Sequence, residues 1–215
     1  QSECASDHKF ANYWMHSGLL KINGEKMSKS LGNFAMLKDL FASYHPEVIR
    51  YYLISSHYRS SLNFDNESLD QARSALTRLY QALLLAPSEE TDLHDESVTE
   101  FIKSMNDDLN TPEALSTLFG LAKSINSIQN IQEQSMLSST MKQLGQVLGL
   151  LNENPEAFLQ YGANLTDEDI SKKIEERNKA RDNKDFQKAD QIRDELAAQG
   201  ILLDDSSVGT KWKKS

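Results

Sequence analysis

The sequence predicts a mainly α chain, with an antiparallel helix bundle in the middle, a mixed segment before it and a small α/β tail after it. Three observations predict this. Between Asn66 and Leu151, apolar residues recur at helical spacing on successive stretches. Before residue 62, short apolar runs end in glycine turns, which is strand punctuation. After residue 166, two charged helical stretches precede two short runs, Ile201-Leu202-Leu203 and Thr210-Lys211-Trp212-Lys213, set around a turn.

The elements follow in order. Tyr13-Trp14-Met15-His16 before Gly18 reads as a strand ending in a turn, and Leu19-Leu20-Lys21-Ile22 before Asn23-Gly24 as a strand running into a strong turn signal. A helix is expected from about Met36 to Ser43. His45-Pro46 breaks it, because proline disfavours the α region before it. Pro46 then opens a second helix with Val48, Ile49, Tyr52 and Leu53 as its apolar face. From Asn66 to Ala86, Leu69, Ala72, Leu76, Leu79 and Leu83 form a clear stripe. Residues 87–95 read as a loop, and Val98 to Met105 as a short helix. Thr111-Pro112-Glu113 is a start signal with Thr111 as the capping hydroxyl, and Leu115, Leu118, Leu121, Ala122 and Ile125 continue that helix. A helix from Met136 to Leu151 carries Met141, Leu144, Leu148 and Leu151. Asn152 to Asn164 reads as a connector. Helices over 167–182 and 185–199 end at Gly200, and the hairpin closes the chain.

At 215 residues there is room for one large or two modest domains. The hydrophobic fraction of 39% and charged fraction of 26% are those of a globular protein. No apolar run approaches the ~20 residues of a membrane span, so no membrane partner is expected. One cysteine, Cys4, excludes an internal disulfide framework and fits the reducing cytoplasm. The chain opens on Gln1 without the basic and apolar regions of a signal peptide, and it reads as a piece of something longer.

The net charge of -9 is unevenly spread. Residues 1–61 carry 7 basic and 5 acidic side chains, residues 62–170 carry 5 and 18, and residues 171–215 carry 11 and 9. A polyanion would therefore be gripped at the two ends, away from the acidic middle.

One stretch fits neither helix nor strand. Gly24-Glu25-Lys26-Met27-Ser28-Lys29-Ser30-Leu31-Gly32-Asn33-Phe34 sets two lysines and two serines between glycines. Ammonium groups, hydroxyls and loop N–H donors suit a polyphosphate. The spacing is not that of a Walker loop. On composition alone a solvated basic turn is an equal reading.

Lys26-Met27-Ser28-Lys29-Ser30 resembles the KMSKS signature of the class I aminoacyl-tRNA synthetases, with Trp14, His16 and Gly18 before it and Leu31-Gly32-Asn33 after it. The likeness narrows to the bacterial-type cysteinyl-tRNA synthetases, and within them to the C-terminal half. It is carried by His57-Tyr58-Arg59-Ser60, Leu62-Asn63-Phe64, Asp107 to Ala114, and the tail from Arg181 through Asp185-Phe186, Gly200-Ile201, Gly209-Thr210 and Trp212.

This resemblance implies a fold and an activity. Residues 1–61 would be the end of a Rossmann-type catalytic domain with the KMSKS loop, 62–165 a tRNA-binding helix bundle, and 166–215 a small anticodon-recognition domain. The activity implied is ATP-dependent ligation of cysteine to tRNA(Cys) through a cysteinyl-adenylate. Lys29 would contact ATP with Lys26 as its helper, and Met27, Ser28, Ser30 and His16 would lie beside the nucleotide. A satisfied buried histidine is an equal reading for His16. ATP would come with Mg2+, and a Zn2+ ion for the substrate thiol would have its ligands upstream of Gln1, as would the family's HIGH signature. No metal ligand is expected within this chain, and Cys4 reads as a small core residue. The enzyme is expected to be a cytoplasmic monomer, and this chain alone to be inactive.

For tRNA, Arg177, Arg181, Lys184 and Lys188 are candidate phosphate partners, Trp212 a stacking surface, and Asp204 and Asp205 acceptors for base edges. Against this stands a solvated helix face in which Glu176 pairs with Lys172, Lys173 and Lys179. His57-Tyr58-Arg59 either caps a joint between domains or touches tRNA. Two other functions fit parts of the sequence. A cysteine ligase of the mycothiol pathway would keep the lysine loop but lack the anticodon-reading tail. A non-catalytic tRNA-binding module would lack the chemistry.

Overall fold

The computed structural model describes residues 2–27, 37–86, 93–162, 165, 167–206 and 209–214. A short helix, α1 (Ser2–Ser6), leads into an extended stretch. The strand expected at Tyr13 to His16 is not formed. No strand lies beside it among the described residues, and Tyr13 and Trp14 are 90% and 68% exposed, so its apolar composition does not mark burial here.

The turn at Asn23-Gly24 is as expected, but Glu25 and Lys26, expected in a stretch that is neither helix nor strand, form a short strand because the turn pairs them back onto the strand before it. Asn23 and Gly24 sit at φ 50° and 82°, the pair of positive angles that a type I′ turn needs, and join β1 (Leu20–Ile22) to β2 (Glu25–Lys26). β1 also pairs in parallel with β3 (Leu62–Phe64), which gives a three-stranded sheet of order β2-β1-β3. Between the parallel strands lie α2 (Leu37–Leu40) and α3 (Pro46–Ile54). Pro46 opens α3, and His45 caps it by accepting from the Glu47 N–H. Val48, Ile49 and Tyr52 are buried, but Leu53 is 49% exposed. Tyr51, three residues after Val48, takes the core-facing position instead.

The bundle consists of α4 (Asn66–Leu85), α5 (Asp95–Asn106), α6 (Thr111–Ser127) and α7 (Ile131–Val147). Every residue of the α4 and α6 stripes is buried. The α6 cap is Asn110, not Thr111: the Asn110 side chain accepts from the Glu113 N–H, while the Thr111 hydroxyl donates to the Ile54 carbonyl at 2.7 Å and fastens α6 to α3. The seventh helix begins five residues before the expected Met136, because Asn130 accepts from both Gln132 and Glu133. It stops at Val147, and Leu148 and Leu151 are buried beyond its end, with Leu151 folded back over Gly145.

The connector holds a helix of its own, α8 (Pro155–Gln160), capped by Asn154. Phe158 stacks on Tyr80 with ring centroids 4.0 Å apart, so the connector closes the bundle core. In the tail, α9 (Asp167–Asp182) and α10 (Phe186–Ala198) pack with the hairpin β4 (Ile201–Ser206) and β5 (Gly209–Lys214). Gly200, at φ 77°, turns α10 into β4. Ile170, Ile192, Leu196 and Ile201 form a second core, with Leu203 and Trp212 against it. None of the described helices is long and apolar enough to cross a membrane.

Candidate functional site

Three regions carry the candidate residues. The first is the β1–β2 hairpin. Lys26 ends β2 and Met27 follows it, 41% exposed; the Asn-Gly turn sets the register that pairs Lys26 back onto Lys21 of β1. Ser28, Lys29 and Ser30 lie outside the described residues. The register places Lys21 directly opposite Lys26. Like charges set opposite one another cost stability, and an anion at this edge would offset that cost. Lys21 escaped the sequence reading, although Asn23-Gly24 fixes its position across from Lys26.

His16 is exposed, not buried, on the extended stretch before the hairpin. Two residues on, the Gly18 N–H donates to the Tyr58 carbonyl at 2.7 Å. A Cβ on Gly18 would lie 2.0 Å from the Ser60 carbonyl oxygen, so only glycine allows this approach.

The second region is the turn His57 to Ser60. Arg59 Nε donates to Asp108 Oδ2 at 2.6 Å and the Tyr58 hydroxyl to Asp108 Oδ1 at 2.7 Å. His57 Nε2 lies 3.0 Å from the Asp108 carbonyl, and its ring stacks on Tyr58. Asp108 is at φ 52°, between α5 and α6. The hydrogen bond from Arg59, with that from Tyr58, holds the Asp108 carboxyl below its usual range. This is a joint: it ties the end of α3 and the extended stretch to the α5–α6 loop. A cleft of about 370 Å³ lies beside it, lined by Met15, Leu53, Ile54, Tyr58 and Leu109 among others.

The third region is the tail. Arg177 is buried, with 7% exposure, and its guanidinium forks onto Asp205 at 2.9 and 2.7 Å. Neither is free for RNA in this arrangement, because both terminal nitrogens of Arg177 are spent on the two Asp205 oxygens. Arg181 and the Thr210 hydroxyl complete the Asp205 cluster at 3.0 and 2.7 Å. The Arg177 hydrogen bonds are the main cause of an Asp205 carboxyl held well below its usual range. Trp212 stands opposite Leu203 and is half-buried on the second core, so much of its ring is structural. Lys184, Lys188, Asp204 and Lys211 are exposed. Lys211 donates to Glu156 at 2.7 Å and binds the tail to the connector. The helix-face pairs are Lys172–Glu168, Lys179–Glu175 and Lys173–Glu195; Glu176 is not their partner.

Between α5 and α6, a groove of about 1460 Å³ is lined by Glu96, Glu100, Asp107, Glu113 and Glu133 with Lys103. Its charge repels a polyanion. Among the described residues no three His, Cys, Asp or Glu side chains gather to hold a metal ion, and Cys4 is exposed, not a core residue as expected. These residues do not fit a zinc or magnesium site.

Residues 1–74 match the family described as tRNA synthetases class I (C) catalytic domain, and residues 100–152 match the DALR domain. These two segments are thus similar to parts of the class I tRNA synthetases. Along its whole length the chain is similar to cysteine–tRNA ligases. It is 47% identical over 218 residues to the cysteine–tRNA ligase of Hydrogenovibrio crunogenus, covering 100% of this chain and 47% of that protein. With the Methylococcus capsulatus enzyme the identity is 48% over 224 residues, 100% of this chain and 48% of the relative. The Proteus mirabilis enzyme gives 47% over 222 residues, 100% and 48%. The chain spans about half the length of the curated relatives it matches.

Proposed function

We propose that this chain works within a cysteine–tRNA ligase, which joins cysteine to ATP as an adenylate and passes it to tRNA(Cys). The observation that carries the reading is the exposed hairpin that ends in Lys26-Met27, with Lys21 beside Lys26, in a chain matched end to end by cysteine–tRNA ligases. In the first step the cysteine carboxylate attacks the α-phosphate and pyrophosphate leaves. In the second, a hydroxyl at the tRNA 3′ end attacks the adenylate carbonyl and AMP leaves. No side chain needs to act as nucleophile. Catalysis is positioning plus charge stabilisation, and lysines on a closing loop supply the second.

Residues 1–61 are the end of the catalytic domain, 62–165 the tRNA-binding bundle and 166–215 the anticodon reader. Lys26 and Lys29 act on the phosphates, with Met27, Ser28, Ser30 and His16 beside them. ATP carries its Mg2+, and the ligands of the substrate-binding Zn2+ belong to other parts of the ligase. In the tail, Arg181, Lys184 and Asp204 face the RNA, the open part of Trp212 offers a stacking surface, and Arg177 holds Asp205 in place. The ligase acts as a cytoplasmic monomer. Cysteine-dependent pyrophosphate exchange and tRNA charging, measured side by side on loop and tail variants, test the reading.

A further inference from the structure

The hairpin turn is held by more than its strands. The Gly24 N–H donates to Asn63 Oδ1 at 2.6 Å. The Asn63 amide nitrogen donates to Asp65 Oδ2 at 2.8 Å, and Asp65 Oδ1 accepts from the Ser68 N–H at 2.7 Å, which caps α4. The amide orientation is fixed by chemistry: Gly24 offers only a donor, and the Asp65 carboxylate only acceptors. Beside this relay, the Asn23 N–H donates to the Phe64 carbonyl at 3.1 Å. The turn thus has one main-chain tie to β3 and one side-chain tie that continues into the first turn of a 20-residue helix whose stripe is fully buried. Gly24 stands two residues before Lys26.

We propose that Asn63 is a positioning residue for Lys26, its amide tying the hairpin turn at Gly24 to the start of α4. Lys26 stands two residues beyond that tied turn, and a small displacement of a charge-stabilising group lowers the rate more than it weakens ground-state binding. The inference rests on the lysine loop acting in adenylate formation. Asn63 itself touches no substrate.

The experiment uses the complete ligase with Asn63→Ala, Asn63→Asp, and the pair swap Asn63→Asp with Asp65→Asn. Asn63→Asp keeps an acceptor for Gly24 but sets a carboxylate against Asp65. The swap restores both bonds, and asparagine at 65 still caps α4. Expected for Asn63→Ala are a fivefold or larger fall in kcat for pyrophosphate exchange, KM for cysteine within twofold, and faster amide hydrogen exchange in the segment 20–27. The swap should recover rate and protection over Asn63→Asp alone. Lys26→Ala is run alongside. If Lys26→Ala is slow while Asn63→Ala is within twofold of wild type, or if the swap does not improve on Asn63→Asp, the anchor is overturned and the loop reading stands. If Lys26→Ala runs at the wild-type rate, the loop reading falls and takes the anchor with it.

Discussion

The Tyr80 hydroxyl donates to Glu47 Oε2 at 2.7 Å inside the core, and the same carboxylate accepts from the N–H groups of Leu151 and Asn152, both at 3.0 Å. One glutamate at the start of α3 therefore binds α4 and the chain beyond α7. Arg50, one turn on, donates to the Leu148 carbonyl at 2.5 Å. These contacts hold the segment after the lysine loop to the bundle.

Removing the carboxylate leaves two main-chain donors and a buried hydroxyl without their acceptor. Glu47→Ala should cost about 3 kcal/mol, and Tyr80→Phe about 1–2 kcal/mol, since each lost buried hydrogen bond carries its desolvation penalty. Urea unfolding reads both. A Glu47→Ala cost under about 1 kcal/mol would show that the network does not fasten α3.

Acid should loosen the tail and the joint. Asp205 and Asp108 both have carboxyls depressed in the folded chain, chiefly by Arg177 and by Arg59. Their stabilisation is fully present above the unfolded carboxylate value of about 3.9 and is lost as pH falls from there toward the folded values. Asp205→Asn should be less stable than wild type at pH 7 and should lose less stability between pH 5 and pH 2. Parallel pH dependences for the two proteins would contradict this.

Lys29→Ala in the complete ligase should slow cysteinyl-adenylate formation far more than it weakens cysteine binding. One lost contact to developing phosphate charge is worth on the order of 2–4 kcal/mol of barrier. The assay is pyrophosphate exchange with a separate KM for cysteine. A rate near wild type would remove Lys29 from the chemistry.

Arg177 and Arg181 both reach Asp205, yet they should behave differently. Arg177→Met breaks a buried charged pair and should destabilise the tail by about 2 kcal/mol. Arg181→Ala removes a surface pair worth under about 1 kcal/mol, yet it should lower tRNA charging and reduce its salt dependence. Thermal unfolding and charging at two salt concentrations separate the roles. Equal stability losses would refute the division.

The helices were largely legible because their stripes carry their own period: Leu69 to Leu83 in α4 and Leu115 to Ile125 in α6 are all buried. The turn was legible at Asn23-Gly24, where turn chemistry admits few residues, but the two-residue strand Glu25–Lys26 after it was not, because so short a run carries no alternation. What escaped was decided by distant partners. Thr111 looked like a cap but spends its hydroxyl on Ile54. Tyr13 to His16 reads as a strand, yet among the described residues no strand lies beside it. The connector helix was readable and was missed: Asn154-Pro155-Glu156 is the same start signal as at α6. In the tail, sequence shows that Arg177 and Asp205 are charged but not that they face each other across α9 and β4, which turned a free cation into a buried strut.

On the proposed reading, one chain carries an ATP loop at one end and a tRNA reader at the other. Deleting residues 171–215 from the complete ligase tests it most directly, with pyrophosphate exchange and tRNA charging measured on the same preparation. The hairpin and its anchor belong to residues 20–65, and the bundle core closes over α8 without the tail, so exchange should persist. The kcat/KM for charging should fall tenfold or more, since one lost stacked base alone is worth about 1–3 kcal/mol. Charging at the wild-type rate after the deletion would contradict the claim.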